Sequence, residues 1–323
     1  MILSIIYLVV GLALILAGAN FLTDGASAIA RRMGISDLVV GLTVVAFGTS
    51  APELAISLIS AVSGSTELAV GNVVGSNIFN ILIIIGVTSL VMPMKIERSI
   101  MANEIPLVIL SSAVLLVMAN TPLLDGSAEA VISRSDGIVL LLFFAIFMRY
   151  TFAQAKKGPA DDPMTDAGRK PEMAVWKSVV WVLGGLAALI FGGDRFVAGA
   201  SDIAAAMGVS EAVIGLTIVA MGTSLPELAT SITAAVKGKS GIALGNVIGS
   251  NIFNVFMVLG ASATVAPLRL GAIGNFDMLT LMGASLLFWL FGWFFRERTI
   301  TRAEGAVLVA CYAAYTTLLI IGQ

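Results

Sequence analysis

The sequence contains no histidine and one cysteine, Cys311, which excludes an internal disulfide and any metal site built on imidazole or on several thiolates. Charge is also scarce: 12% of residues are Asp, Glu, Lys or Arg, where soluble domains carry roughly a quarter. With 18 basic against 20 acidic side chains there is no basic field of the kind that nucleic acid requires, so that class of partner is set aside. What fills the chain is apolar, with 58% hydrophobic residues and a mean hydropathy of +1.01. Such a composition predicts a polytopic membrane protein surrounded by lipid. The opening run MILSIIYLVVGLALILAGANFL lacks a basic leader and is about twenty apolar residues long, as a first spanning helix should be and a cleaved signal should not.

Apolar runs of about 20 residues, the length that a bilayer core demands of a helix, predict ten spans. They centre near residues 2–22, 38–62, 68–92, 104–120, 136–153, 174–193, 212–236, 242–266, 278–295 and 303–321. One hydrophilic stretch, AKKGPADDPMTDAGRKPE at 155–172, divides five spans from five. The expected fold is therefore all-α. It has one five-helix repeat in residues 1–154, a cytoplasmic loop at 155–172 and a second five-helix repeat in residues 173–323.

The two halves repeat in sequence. GLTVVAFGTSAPELAISLISAVSGSTELAVGNVVGSNIFNILIIIG at 41–86 aligns without a gap on GLTIVAMGTSLPELATSITAAVKGKSGIALGNVIGSNIFNVFMVLG at 215–260, with 27 of 46 positions identical, far beyond chance. Upstream, Gly25, Ala26 and Ser27 match Gly199, Ala200 and Ser201, and Ser36 and Asp37 match Ser210 and Glu211, pairs that read as helix caps with an acid in the first turn.

An odd number of spans per repeat makes the two halves enter the membrane in opposite directions. With both termini outside, the cytoplasmic segments hold Arg31, Arg32, Lys95, Arg98, Lys156, Lys157, Arg169, Lys170, Lys237, Lys239, Arg296, Arg298 and Arg302, whereas the outer ones hold Arg134, Arg195 and Arg269. Arg149 and Lys177 agree with this positive-inside bias. Inverted repeats whose broken helices meet at the bilayer midplane are a signature of secondary transporters.

Only two acids occupy the middle of a span in both halves. Asp24 aligns with Ala198, Glu104 with Met278 and Glu67 with Gly241, whereas Glu53 of GTSAPE aligns with Glu227 of GTSLPE. A carboxylate at that depth costs several kcal/mol unless it finds a partner. The repeated spans offer no Lys or Arg as that partner, and a bound cation fits. Thr49, Ser50, Thr223 and Ser224 supply hydroxyls just before each acid. Pro52 and Pro226 donate no N–H, which frees carbonyls near Gly48 and Gly222, and those of Ala46 and Ala220 lie further back along the same turns. Ser76 and Asn80 share one helical face, as do Ser250 and Asn254 in an identical GSNIFN. Every candidate ligand is oxygen, which suits Ca²⁺ and Na⁺, suits Mg²⁺ less, and suits Zn²⁺ or Cu⁺ poorly. Helix packing and interhelical hydrogen bonding account for Gly71, Gly75, Gly245, Gly249, Asn72, Asn246, Ser57 and Ser231, while Asn77 and Asn251 read either way.

The paired GTSxPE and GSNxxN elements resemble the two α-repeats of the cation/calcium antiporter superfamily, in its sodium/calcium exchanger branch. The resemblance implies a diamond-shaped cluster of cation sites between broken second and seventh helices and the third and eighth. In it Glu53 and Glu227 are central ligands. Thr49, Thr223, Ser50, Ser224, Ser76 and Ser250 supply hydroxyls, Ala46 and Ala220 supply backbone oxygens, and Asn80 and Asn254 form the polar corners. Some relatives, potassium-dependent exchangers in particular, have Asp where Asn254 stands, and Asn here speaks against potassium co-transport. The loop at 155–172 is too short for the regulatory calcium-binding loop of animal exchangers.

These readings predict an antiporter of the cell membrane, monomeric, with Ca²⁺ and Na⁺ as substrates, no cofactor and no enzymatic activity. Two carboxylates neutralise one Ca²⁺ or two Na⁺, and shared oxygens make the ions compete. An intramembrane protease fails on inventory, with no His and no Ser–Lys pair at membrane depth. A channel would want a continuous pore instead of inverted broken helices. Proton-driven relatives carry an Asn in place of the hydroxyl pair before the acid, so Ca²⁺/H⁺ exchange stands as the alternative to Na⁺ coupling.

Overall fold

The computed structural model describes residues 2–126, 129–155, 173–208, 220–294 and 298–321, which are almost entirely helical. The helices are α1 (Ile2–Met33), α2 (Asp37–Thr49), α3 (Ala51–Val62), α4 (Thr66–Val91), α5 (Ile100–Ala119), α6 (Arg134–Ala155), α7 (Val175–Ala206), α8 (Leu225–Val236), α9 (Ser240–Val265), α10 (Asn275–Phe294) and α11 (Arg302–Ile321). Among the described residues, seven helices are long and apolar enough to cross a bilayer, or eight if α2 and α3 count as one span. The chain is thus a mostly helical membrane protein. Residues 212–219 of the expected seventh span lie outside the described residues. So do 156–172 of the expected loop with its Lys156, Lys157, Arg169 and Lys170, together with Arg296, Ser210 and Glu211.

Sequence explains where the helices start, stop and break. The first helix outruns the expected 2–22 because nothing in TDGASAIARRM breaks a helix before Gly34, which takes φ +63 while Ile35 N–H closes back on the Ala30 carbonyl at 3.0 Å. Ser36 caps α2, its hydroxyl accepting from Val39 N–H at 3.3 Å, with Asp37 in the first turn. A break at Ser50, followed by Pro52 near the start of α3, bends the α2–α3 pair by 46°. The same Pro near a helix start recurs at Pro226 in α8. Wider π-turns interrupt α2 at Gly41–Val45, α4 at Asn80–Ile84, α5 at Ile100–Glu104 and α9 at Asn254–Leu259.

The chain divides into two units, residues 1–49 with 148–249 and residues 50–147 with 250–323, so each unit draws on both sequence halves. In the first unit α1 lies along α7 on a seam of glycines spaced by seven, Gly11, Gly18 and Gly25 against Gly185, Gly192 and Gly199. A methyl added at Gly18 would sit 2.7 Å from the Gly185 carbonyl, and one at Gly185 would sit 2.8 Å from that of Gly18, so only glycine permits this approach. Asp24 on α1 pairs with Lys237 at 2.9 Å and Lys239 at 3.3 Å, both beyond the end of α8. Burial pushes the Lys239 ammonium below the usual lysine range, although the carboxylates of Asp24 and Asp37 pull the other way.

In the second unit α3 packs on α4 and on the C-terminal part of α9, and α5 packs on α10, with Ser112 and Ser285 hydrogen-bonded at 3.0 Å inside that contact. Two antiparallel ladders tie its loops, β1 (Met94–Lys95) with β4 (Thr299–Ile300) and β2 (Val131–Ile132) with β3 (Leu268–Arg269). Ile78, Ile81, Leu82, Phe253 and Phe256 are buried at its centre.

Candidate cation-ligand residues

In the first unit the ligand candidates are carried by the end of α2 and the start of α8. Ala46 and Thr49 are fully buried in the last turn of α2. Gly48 is pressed on α7, since a methyl there would stand 2.3 Å from Leu186, and Gly222 meets Val197 on α7 at the same distance. These contacts explain a glycine ahead of each hydroxyl pair. Ala220 opens the helical turn Ala220–Gly222. Next come Thr223, whose hydroxyl oxygen is buried with no hydrogen-bond partner among the described residues, and Ser224, buried at 1% exposure. Glu227 is 1% exposed in the first turn of α8, where the helix dipole favours an anion.

Asn246 on α9 binds these two elements together. Its Nδ2 donates to Ser231 Oγ at 3.0 Å and to the Glu227 carbonyl at 3.2 Å. Its Oδ1 accepts from Thr49 Oγ1 at 3.0 Å. The Thr49 hydroxyl also lies 3.1 Å from the Val45 carbonyl and 3.4 Å from that of Ala46, so its one proton is shared among acceptors.

The second unit holds the other candidates. Ser50 is fully buried and donates to Ser250 Oγ at 2.9 Å, and Glu53 is 1% exposed in the first turn of α3. Asn72 on α4 donates to Ser57 Oγ at 3.0 Å and to the Glu53 carbonyl at 3.3 Å, the same clasp that Asn246 makes on α8. Ser76 and Asn80 follow on α4, and Ser250 and Asn254 on α9, all at most 4% exposed. Each of the two asparagines opens a π-turn, a feature frequent at functional sites.

Among the described residues, Ser76 Oγ, Asn80 Oδ1 and Asn254 Oδ1 are buried without a hydrogen-bond partner. Leaving such an oxygen unsatisfied costs about 1–3 kcal/mol. Orphan hydroxyls also occur at Thr88 and Ser89, away from the motifs, so hydroxyls alone prove little. The amide oxygens of Asn80 and Asn254 are more telling: they carry no proton to turn toward a nearby carbonyl and can only accept from a donor or bind a cation. Amide and hydroxyl oxygens of this kind are ligands suited to hard cations.

The expected residues thus fall into two sets, Ala46, Thr49, Ala220, Thr223, Ser224 and Glu227 in the first unit and Ser50, Glu53, Ser76, Asn80, Ser250 and Asn254 in the second. Sequence reasoning assigned Asn72, Asn246, Ser57 and Ser231 to interhelical packing. They do bond across helices: Asn72 donates to Ser57 and Asn246 to Ser231, and each asparagine donates as well to the backbone carbonyl of the acid. The available signal was that each pair is matched in both repeats.

The sequence pattern of the family described as sodium/calcium exchanger protein matches residues 3–153 and 177–321. The putative antiporter CaxA of Alkalimonas amylolytica is 39% identical over 99% of both chains. The inner membrane protein YrbG of Escherichia coli is 35% identical, over 99% of this chain and 97% of its own. The sodium/calcium exchanger MaX1 of Methanosarcina acetivorans is 34% identical over 98% of each chain. Among solved structures, the sodium-calcium exchanger NCX_Mj soaked with 2.5 mM Na⁺ and 0.1 mM Ca²⁺ superposes with a TM-score of 0.82 at 33% identity, covering 98% of each chain.

Proposed function

Because the chain belongs to the sodium/calcium exchanger family, integral membrane antiporters rather than catalysts, we propose that it exchanges Ca²⁺ for Na⁺ across the cell membrane by alternating access. The observation that carries this reading is the pair of buried amide oxygens at Asn80 and Asn254 that have no hydrogen-bond partner among the described residues, set in motifs that also contain a buried hydroxyl. Glu53 and Glu227 supply the negative charge. Ser50, Ser76, Ser224, Ser250, Thr49 and Thr223 supply hydroxyl oxygens, and Ala46 and Ala220 backbone ones. Two carboxylates balance one Ca²⁺ or two Na⁺, and a protein that crosses its apolar barrier only when so neutralised is an obligate exchanger. A further Na⁺ held by neutral oxygens makes each cycle electrogenic, and the membrane potential then contributes about 2.3 kcal/mol per charge at 100 mV to Ca²⁺ extrusion.

The architecture belonging to this reading is ten helices in two inverted repeats, residues 1–154 and 173–323. The second and seventh spans are broken, the 155–172 loop is cytoplasmic and both termini are outside. The 46° bend between α2 and α3 and the excess of Lys and Arg in the assigned cytoplasmic segments support it. A cysteine placed in the 155–172 loop of a Cys311→Ser background should be labelled from the cytoplasmic side alone.

The deciding experiment is Ca²⁺ uptake into vesicles containing the purified protein under imposed Na⁺, K⁺ or H⁺ gradients. Uptake that follows the Na⁺ gradient and ignores K⁺ is expected. Accumulation driven by a pH gradient without Na⁺, and unchanged by adding it, would make the protein a Ca²⁺/H⁺ antiporter.

A further inference from the structure

Inside the second unit, Asn77 and Asn251 are not used by the ligand assignment above, yet they are hydrogen-bonded in one chain with Asn254. Asn77 on α4 is 1% exposed, and its Nδ2 donates to the backbone carbonyl of Asn251 at 3.1 Å. A backbone carbonyl only accepts, so the Asn77 amide has one orientation available, nitrogen toward Asn251 and oxygen away. That oxygen accepts from Asn254 Nδ2 at 3.0 Å. With its nitrogen engaged there, Asn254 keeps its Oδ1 buried and without a hydrogen-bond partner among the described residues.

We propose that Asn77 is a positioning residue that sets ion specificity: it demands a hydrogen-bond donor at position 254 and so presents a neutral amide oxygen, rather than a carboxylate, to the transported cation. Asn77 is no ligand itself, because both its polar atoms are taken by the protein. A carboxylate at 254 would face Asn77 Oδ1 acceptor to acceptor, and the Asn251 carbonyl prevents Asn77 from turning over to relieve it. The four bonding groups lie on two helix segments, so the orientation is fixed by backbone on one side and read by a side chain on the other. Negative charge among the ligands is thereby confined to Glu53 and Glu227. Asn77 and Asn251 were open between ligation and packing in the sequence, and this assigns Asn77 a third role.

The inference rests on the exchanger reading, in which Asn254 ligates the cation. Its test is Na⁺-driven Ca²⁺ uptake by vesicles holding the full-length wild type, Asn77→Leu, Asn254→Ala or the double variant. Leucine has the size of the amide without donor or acceptor. Asn77→Leu should raise half-saturating Ca²⁺ about tenfold while the maximal rate stays within about threefold. Asn254→Ala should do the same, and the double variant should be no worse than the weaker single one, because both act through one oxygen. Multiplying effects, about a hundredfold together, would overturn the proposal, as would wild-type half-saturation in Asn77→Leu. If Asn77→Leu gives no monodisperse protein, Asn77→Ser, too short to span both partners, takes its place with the same expectation. A wild type that moves no Ca²⁺ under any gradient refutes the exchanger reading, and this inference with it. Working wild type with multiplying variants refutes this inference alone.

Discussion

Asn72 and Asn246 occupy the same position of the same GNVxGSN motif, and each donates to a serine hydroxyl at 3.0 Å and to the carbonyl of the buried glutamate at 3.2–3.3 Å. There the likeness ends. Asn246 is fully buried and its oxygen accepts the Thr49 hydroxyl, whereas Asn72 is half-buried and the matching Thr223 hydroxyl has no partner among the described residues. One helix turn later, Gly249 is buried with Ala46 and Leu42 within 2.9 Å of where a methyl would stand, while Gly75 is exposed with no atom within 4 Å of that point. Identical sequences therefore make identical short-range bonds but sit in unequal surroundings.

The largest expected effect removes this inequality from view. On the proposed ligand role, Glu53→Gln and Glu227→Gln each delete a charge without changing shape, so both should lower Ca²⁺ transport at least about a hundredfold while the protein still folds. Wild-type uptake in either would show that the two acids are not equivalent in function.

Next comes the glycine pair. Gly249→Ala forces a methyl against the α2 backbone and should destabilise by about 1–3 kcal/mol. Gly75→Ala meets open space and gains helix propensity, so its melting temperature should equal or exceed the wild type's. Thermal unfolding of the two purified variants checks this, and equal losses would refute the packing difference.

Removing the clasps should have a smaller effect with the same sign of asymmetry. Asn246→Ala strips donors and an acceptor from a buried network and should cost about 2–3 kcal/mol, against about 1 kcal/mol for half-buried Asn72→Ala. Comparison of their denaturation midpoints would detect a reversal.

The smallest effect concerns Lys239, whose counterpart in the first repeat is the uncharged Ser65. The folded protein holds the Lys239 proton less tightly than the unfolded chain does, so this group adds stability as pH climbs from its folded value toward the usual lysine range. Lys239→Met should flatten that alkaline rise in melting temperature, and an unchanged slope would rule the group out as its source.

Much was legible before any coordinates. Helix positions followed from runs of apolar residues, the loss of a backbone donor at the start of α3 from Pro52, and the match of Glu53 with Glu227 from the repeat itself. Each of these is a local or periodic property, and local chemistry is written in the chain. Element ends were less legible: α1 runs eleven residues past its expected end at 22, because helix-compatible residues continue to Met33 after the length a bilayer requires has been spent.

The sequence by itself determined that this protein lives in a membrane, that its interior carries two matched carboxylates among oxygen donors, and that its halves are copies. Tertiary structure alone decided which asparagine clasps an acid, which accepts from another asparagine and which keeps an oxygen without a partner among the described residues. Asn72, Asn77 and Asn80 are alike in composition and in their match to Asn246, Asn251 and Asn254. Their roles differ because a hydrogen bond depends on what lies 3 Å away, and for these side chains that neighbour comes from a helix 15 to 177 residues distant in the chain.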